Sequence, residues 1–165
     1  MVFCSDDGFK NNLRGAQILS EFGARCCFFI NPATIENSNR DFLNRFCTER
    51  LDFPPVEFLD WHEVSEIQKF GHEIGSHSLN HIRISQKSRE EVLYDLSTSL
   101  KVLNQNCGTV RHFAYPYGRF YDFSKEARDI VFDLGFYSCA SSERGCHVNH
   151  FEALDNRRLC LRRDH

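Results

Sequence analysis

Residues 24–32 read Ala24-Arg25-Cys26-Cys27-Phe28-Phe29-Ile30-Asn31-Pro32, and this stretch decides the fold. From Ala24 to Ile30 every position but Arg25 is apolar, with no alternation of polar and apolar residues. A strand of that kind is buried on both faces, as in parallel sheets covered by helices. Asn31-Pro32 ends it, because Asn favours turns and Pro cannot donate to a ladder.

Working outward, helices and strands alternate. Leu13 to Phe22 carries apolar residues at Leu13, Ala16, Ile18, Leu19 and Phe22, a helical spacing closed by Gly23. Before it, Val2 to Cys4 is a short strand running into Ser5-Asp6-Asp7-Gly8. Residues 35–60 form a long irregular excursion, with Asn37-Ser38-Asn39, Pro54-Pro55 and one helical turn near Phe42 to Phe46; such excursions are often binding loops. Trp61 to Phe70 is a helix, His72 to Gly75 a strand, and Ser76 to Ile84 a polar loop. Ser88 to Asn106 is the clearest helix, with Ser88 and Glu91 forming a capping box. Val110 to Tyr115 is a strand, Ser124 to Leu134 a helix, and Phe136 to Ala140 and Arg158 to Leu161 the last strands. This order predicts an α/β domain with a parallel sheet or barrel, whose function sits where strands end.

Composition narrows the class. At 165 residues the chain fits one domain, taken here as residues 1–165 with the excursion at about 35–60. The net charge is −3 and no Lys/Arg run exceeds two residues, which argues against nucleic acid as a partner. No apolar run approaches the ~20 residues of a membrane span. The first residues have neither the basic nor the apolar region of a secretion signal. The eight cysteines contain no Cys-x-x-Cys pair, and most lie in strand-like runs, so free thiols in a reducing cytoplasm are expected. The sixteen Phe residues suit a packed core, with a sugar-binding cleft lined by some of them as the lesser alternative.

Three polar clusters directly follow strand ends: Ser5-Asp6-Asp7-Gly8, His77-Ser78-Leu79-Asn80-His81 and Tyr115-Pro116-Tyr117-Gly118. In a parallel sheet all three share one edge. Asp6 and Asp7 repel each other unless a cation sits nearby, which would bind one and leave the other as a base. The same residues are also ordinary turn formers. His77 and His81 lie four apart, a spacing that lets both reach one metal, although exposed loop histidines would look the same. Taken with the aspartates, a site of two His and one carboxylate is the better reading. Three ligands leave coordination positions open, as in catalytic sites. The metal is expected to be zinc, with cobalt, nickel or manganese as alternatives. The Tyr-Pro-Tyr-Gly corner could be a rigid turn, or could present a backbone N–H to a developing oxyanion.

Together the clusters resemble the polysaccharide deacetylase family (the NodB-homology domain). Phe3-Cys4-Ser5-Asp6-Asp7-Gly8 is similar to its Thr-Phe-Asp-Asp-Gly motif. Residues 71–81, Gly-His-Glu-Ile-Gly-Ser-His-Ser-Leu-Asn-His, resemble its second motif closely, and Phe113-Ala114-Tyr115-Pro116-Tyr117-Gly118 resembles its third. Phe28-Phe29-Ile30 matches its second strand. The resemblance runs from residue 2 to about 140. It implies a distorted (β/α) barrel, complete or incomplete, and metal-dependent removal of N- or O-acetyl groups from carbohydrates. Carried over, Asp6 is the base, Asp7, His77 and His81 hold the metal, and the Tyr117 N–H helps form the oxyanion hole. Tyr115 and Pro116 are candidates for substrate contact.

The chain departs from the family pattern in three places. Ala114 stands where many members have an Arg that orients the catalytic Asp, leaving Arg111 as a distant candidate. The Asp-x-x-Asp-Trp motif is absent, with Phe136 to Gly145 in its place. The late Leu-x-His motif is not evident either, so His147, His150 and His165 are the candidates for general acid, and the chain could be truncated at either end. Two other functions compete with glycan deacetylation: hydrolysis of a small cyclic amide, and a non-catalytic glycan-binding domain that retains its metal.

Overall fold

A computed structural model describes residues 3–144 and 160–163. The elements are β1 (Phe3–Ser5), α1 (Asn12–Glu21), β2 (Cys26–Ile30), α2 (Arg40–Arg45), α3 (Trp61–Lys69), β3 (Glu73–Ser76), α4 (Arg89–Cys107), β4 (His112–Ala114), α5 (Lys125–Asp133), β5 (Ser138–Arg144) and β6 (Cys160–Arg163). All five strand pairings are parallel, and the sheet runs in chain order from β1 to β6. Such an order, without the reversal of a doubly wound sheet, is that of a (β/α) barrel. Among the described residues β1 and β6 are not paired, so the barrel is open and incomplete.

Both faces of β2 are buried, as its unbroken apolar run requires. Cys26, Phe28 and Ile30 join Phe113, Cys139 and the apolar faces of the helices in the main core. Cys27 and Phe29 face the other way and pack with Ala114 and Ala140 inside the barrel. That interior is filled by few side chains, and Phe29 is the bulkiest of its buried cluster. Its ring lies over Gly75 on β3, where a Cβ would come within 2.3 Å of Phe29 Cδ1. The glycine is therefore demanded by close packing.

Local chemistry explains the helix ends. Ser88 accepts from the Glu91 N–H and Glu91 bonds back to Ser88, completing the expected capping box on α4. Ser124 caps α5 through the Ala127 N–H. His72, just before β3, accepts from the Cys26 N–H through Nδ1 and donates to the Ala16 carbonyl through Nε2. One neutral tautomer satisfies both bonds, tying β2 to α1.

The 35–60 excursion is more ordered than the single helical turn expected of it. Asn39 caps α2 by accepting from the Phe42 N–H, and α2 continues into a π-helical turn, Phe46–Leu51, that stops at Asp52 with φ 51°. The driving force is a small separate core in which Phe46, Cys47 and Phe58 pack with Phe9, Phe42, Leu43 and Leu51. Its apolar residues come from three segments, so no local period announces it. Val2, Arg158 and Leu159, parts of two expected strands, lie outside the described residues.

Gly75→Ala should therefore cost about 1–3 kcal/mol, the usual range for overpacking a filled core. Urea unfolding checks this. An unchanged midpoint would mean that the Phe29 ring moves aside freely.

Candidate metal centre and catalytic edge

The three polar clusters do converge on one edge of the sheet. Asp7 follows β1, His77 follows β3 and His81 ends the next turn. Their ligand atoms all lie within 4.8 Å of one another. Asp7 Oδ1 stands 3.6 Å from His77 Nε2 and 3.4 Å from His81 Nε2. These distances are too long for hydrogen bonds.

Each group has a potential ligand atom turned toward the others. His77 Nδ1 is 2.8 Å from the Ala114 carbonyl, to which it must donate, and this bond turns Nε2, the acceptor of the neutral ring, toward Asp7. Burial, reinforced by His77 and Arg50, pushes the His81 pKa down to about 2, which keeps that ring neutral. Asp7 Oδ1 is buried with no hydrogen-bond donor. Burial pushes the Asp7 pKa up, His77 pulls it down, and neighbouring Asp6 pushes it up again. An ion pair with a charged His81 would need an imidazolium that this environment disfavours. A divalent cation fits instead: two atoms bound ~2.0–2.1 Å from one tetrahedral ion lie ~3.4 Å apart. Two imidazoles and one carboxylate suit zinc and its borderline neighbours.

The backbone around these residues is contorted. Asp7 (φ 70°), Ser78 (φ 64°), His81 (φ 50°) and Tyr117 (φ 65°) are four of the six non-glycine residues with positive φ among those described. Such conformations cluster where function over-determines them. At the third cluster Tyr117 is followed by Gly118, also left-handed, where a Cβ would sit 2.6 Å from the Ser142 backbone nitrogen. Only glycine lets this turn approach β5.

Several side chains hold the His77–His81 loop. Asn31, at the end of β2, donates through Nδ2 to the carbonyls of His77 and Ser78. Asp95, on the buried face of α4, accepts from the Leu79 N–H at 2.8 Å and from Asn80 Nδ2 at 3.0 Å. Arg50 from the π turn donates to the Asn80 carbonyl. Sequence reasoning missed all three. A carboxylate three residues after Val92, on the inward face of α4, is the signal that could have pointed to Asp95.

The remaining expected residues are placed as follows. Asp6 is exposed, beside Asp7 in the same turn. Tyr117 is half-buried, its ring against His81 (centroids 4.8 Å apart) and under the Arg83 guanidinium, 3.7 Å from the ring centre. Its N–H has no hydrogen-bond partner among the described residues. Tyr115 is 2% exposed and stacks on Phe123 within the main core, so its ring does not reach the cleft, and Pro116 beside it is buried. Arg111 is exposed, its guanidinium 6.0 Å from the centre of the Tyr137 ring. His147, His150 and His165 lie outside the described residues.

Residues 1–138 match the family described as "Polysaccharide deacetylase". A chitooligosaccharide deacetylase of Azorhizobium caulinodans is 42% identical over 72 residues, which are 42% of this chain and 33% of that protein. The deacetylase PplD of Streptococcus pyogenes, solved with acetate, superposes with a TM-score of 0.77 at 18% identity over 98% of this chain and 62% of its own. A CE4-family pseudoenzyme of Bacillus anthracis superposes at 0.60 and 20% identity, over 84% of this chain and 42% of its own. The matched regions thus span a third to under two thirds of these proteins. The chain belongs to the polysaccharide deacetylase family.

Proposed function

We propose that this chain is a metal-dependent hydrolase that removes acetyl groups, N-acetyl and also O-acetyl, from a carbohydrate or glycan precursor. The observation that carries the reading is the buried Asp7 Oδ1, without a donor, facing two imidazole nitrogens. Asp7, His77 and His81 would hold one divalent ion, zinc in this reading, which supplies a polarised water and a Lewis acid for the acetyl carbonyl. Residues 1–165 act as one catalytic domain. The buried thiols of Cys26, Cys27 and Cys47, outside any disulfide, are consistent with a cytoplasmic location. No helix among the described residues is long and apolar enough to cross a membrane.

The two aspartates divide the labour by environment. Asp7 is half-buried with its Oδ1 turned toward the imidazoles, whereas Asp6 is exposed in the same turn and, in this reading, takes a proton from the attacking water. In this reading the Tyr117 N–H donates to the oxygen that becomes negative as the carbonyl is attacked. One such donor is worth about 3–4 kcal/mol in the transition state. The proton for an amine leaving group comes from Asp6 itself or from a histidine among His147, His150 and His165.

A non-catalytic glycan-binding role is the second reading, because the same fold occurs in a protein described as a pseudoenzyme. Acetate release from a panel of N- and O-acetylated oligosaccharides, with zinc, cobalt, nickel or manganese added back, separates the two. Release that requires metal is expected. Binding of the glycans without release under every metal would establish the second reading.

Two variants test the division of roles. Asp6→Asn should retain metal and lose about 10²–10⁴-fold in turnover, while Asp7→Asn should lose metal. Equal metal loss in both, measured by atomic absorption, would overturn the assignment.

The metal-free protein should also respond to pH. The His81 pKa is lowered from 6.5 to about 2 in the folded chain. Below about 6.5 the unfolded chain binds a proton that folded His81 refuses, so stability is present above that pH and is lost as pH falls through it. Melting temperatures in EDTA between neutral pH and about pH 5 should fall more steeply for the parent than for His81→Asn. Identical slopes would show that this ring is not held neutral.

A further inference from the structure

Arg83 follows His81 by two residues and makes two contacts of unlike kind. Its guanidinium lies 3.7 Å from the centre of the Tyr117 ring. The same group forms an ion pair with Asp122, which is 1% exposed. Asp122 Oδ2 has no further hydrogen-bond partner. A part-buried ion pair is weak ground for stability, since desolvation and solvent screening cancel much of the attraction. What the pair fixes is a better reason for it.

It fixes Tyr117. That residue holds φ at 65°, a conformation a non-glycine side chain keeps only when its surroundings over-determine it. The ring is gripped by Arg83 and meets the His81 ring edge-on at 4.8 Å. The carbonyl accepts from Ser142 Oγ at 3.1 Å, and the Gly118 carbonyl accepts from the Ser142 N–H at 3.0 Å. Ring and carbonyl are thus tethered, while the N–H is left without a partner among the described residues.

We propose that Arg83 is a positioning residue: anchored on Asp122, it clamps the Tyr117 ring and so holds the left-handed backbone that presents the Tyr117 N–H to the substrate carbonyl. This rests on the proposed deacetylase reading for its consequence, not for the clamp itself. A planar guanidinium is needed because it stacks and bridges at once. A lysine ammonium would satisfy Asp122 but offers no face to the ring.

Arg83→Lys is therefore the informative variant. Its charge preserves the buried pair, and metal affinity is expected to match the parent. With N-acetylglucosamine pentamer as substrate, kcat should fall at least about ten-fold with KM unchanged, short of the ~10²–10³-fold of losing an oxyanion donor outright. In protein labelled with 3-fluorotyrosine, the Tyr117 ¹⁹F resonance, assigned through Tyr117→Phe, should shift and broaden. If Arg83→Lys folds poorly, the Arg83→Gln, Asp122→Asn double variant removes the buried charges together and should give the same two effects. Parental kcat with an unmoved resonance would overturn the proposal. A rise in KM at constant kcat would also overturn it, making Arg83 a substrate-binding residue. If the parent releases no acetate from any probe, the deacetylase reading fails, and the resonance alone still decides whether Arg83 holds Tyr117.

Discussion

Asp7 Oδ1, His77 Nε2 and His81 Nε2 converge in a largely buried place, and the rest of this edge of the sheet is arranged around that constraint. Asp7 Oδ1 has no hydrogen-bond partner, the bond from His77 Nδ1 to the Ala114 carbonyl turns Nε2 toward Asp7, and burial disfavours a charged His81. Bringing such groups together without a compensating charge costs several kcal/mol. A divalent cation reverses the sign of that cost, and the separations of 3.4 and 3.6 Å suit ligands of a tetrahedral ion.

The fold offsets the cost of holding these residues in place. Asp7 and His81 adopt left-handed backbone conformations. Asn31, Asp95 and Arg50 reach from β2, α4 and the π turn to fasten the loop between the histidines. The open barrel supplies the rest: parallel strands in chain order bring the ends of β1, β3 and β4 to one edge, and β4 orients His77 through a carbonyl. The small core under residues 42–58 serves the same end, since Phe46 from it packs near His81.

Much of this was legible in the sequence, for local reasons. The unbroken apolar run at 26–30 announced a doubly buried strand, and Ser88 with Glu91 announced the start of α4. The polar clusters stood out because they follow strand ends. Tyr115, a candidate substrate contact by its motif, lies two residues after Phe113, just beyond β4, and both rings sit in the same core. What could not be read is long in range. Asn31 looked like a strand terminator, yet its partners lie 46 and 47 residues away. Arg83 and Asp122 are 39 residues apart. The helix at 40–51 is held by residues from three segments. No period or cap encodes such pairings.

The most direct test of the account is anomalous diffraction at the zinc absorption edge from crystals of the chain equilibrated with zinc. One peak bonded to Asp7 Oδ1, His77 Nε2 and His81 Nε2 is predicted, with His77 Nδ1 still on the Ala114 carbonyl. Ordered density for all three side chains with no peak among them, or a peak held by other residues, would contradict the central claim.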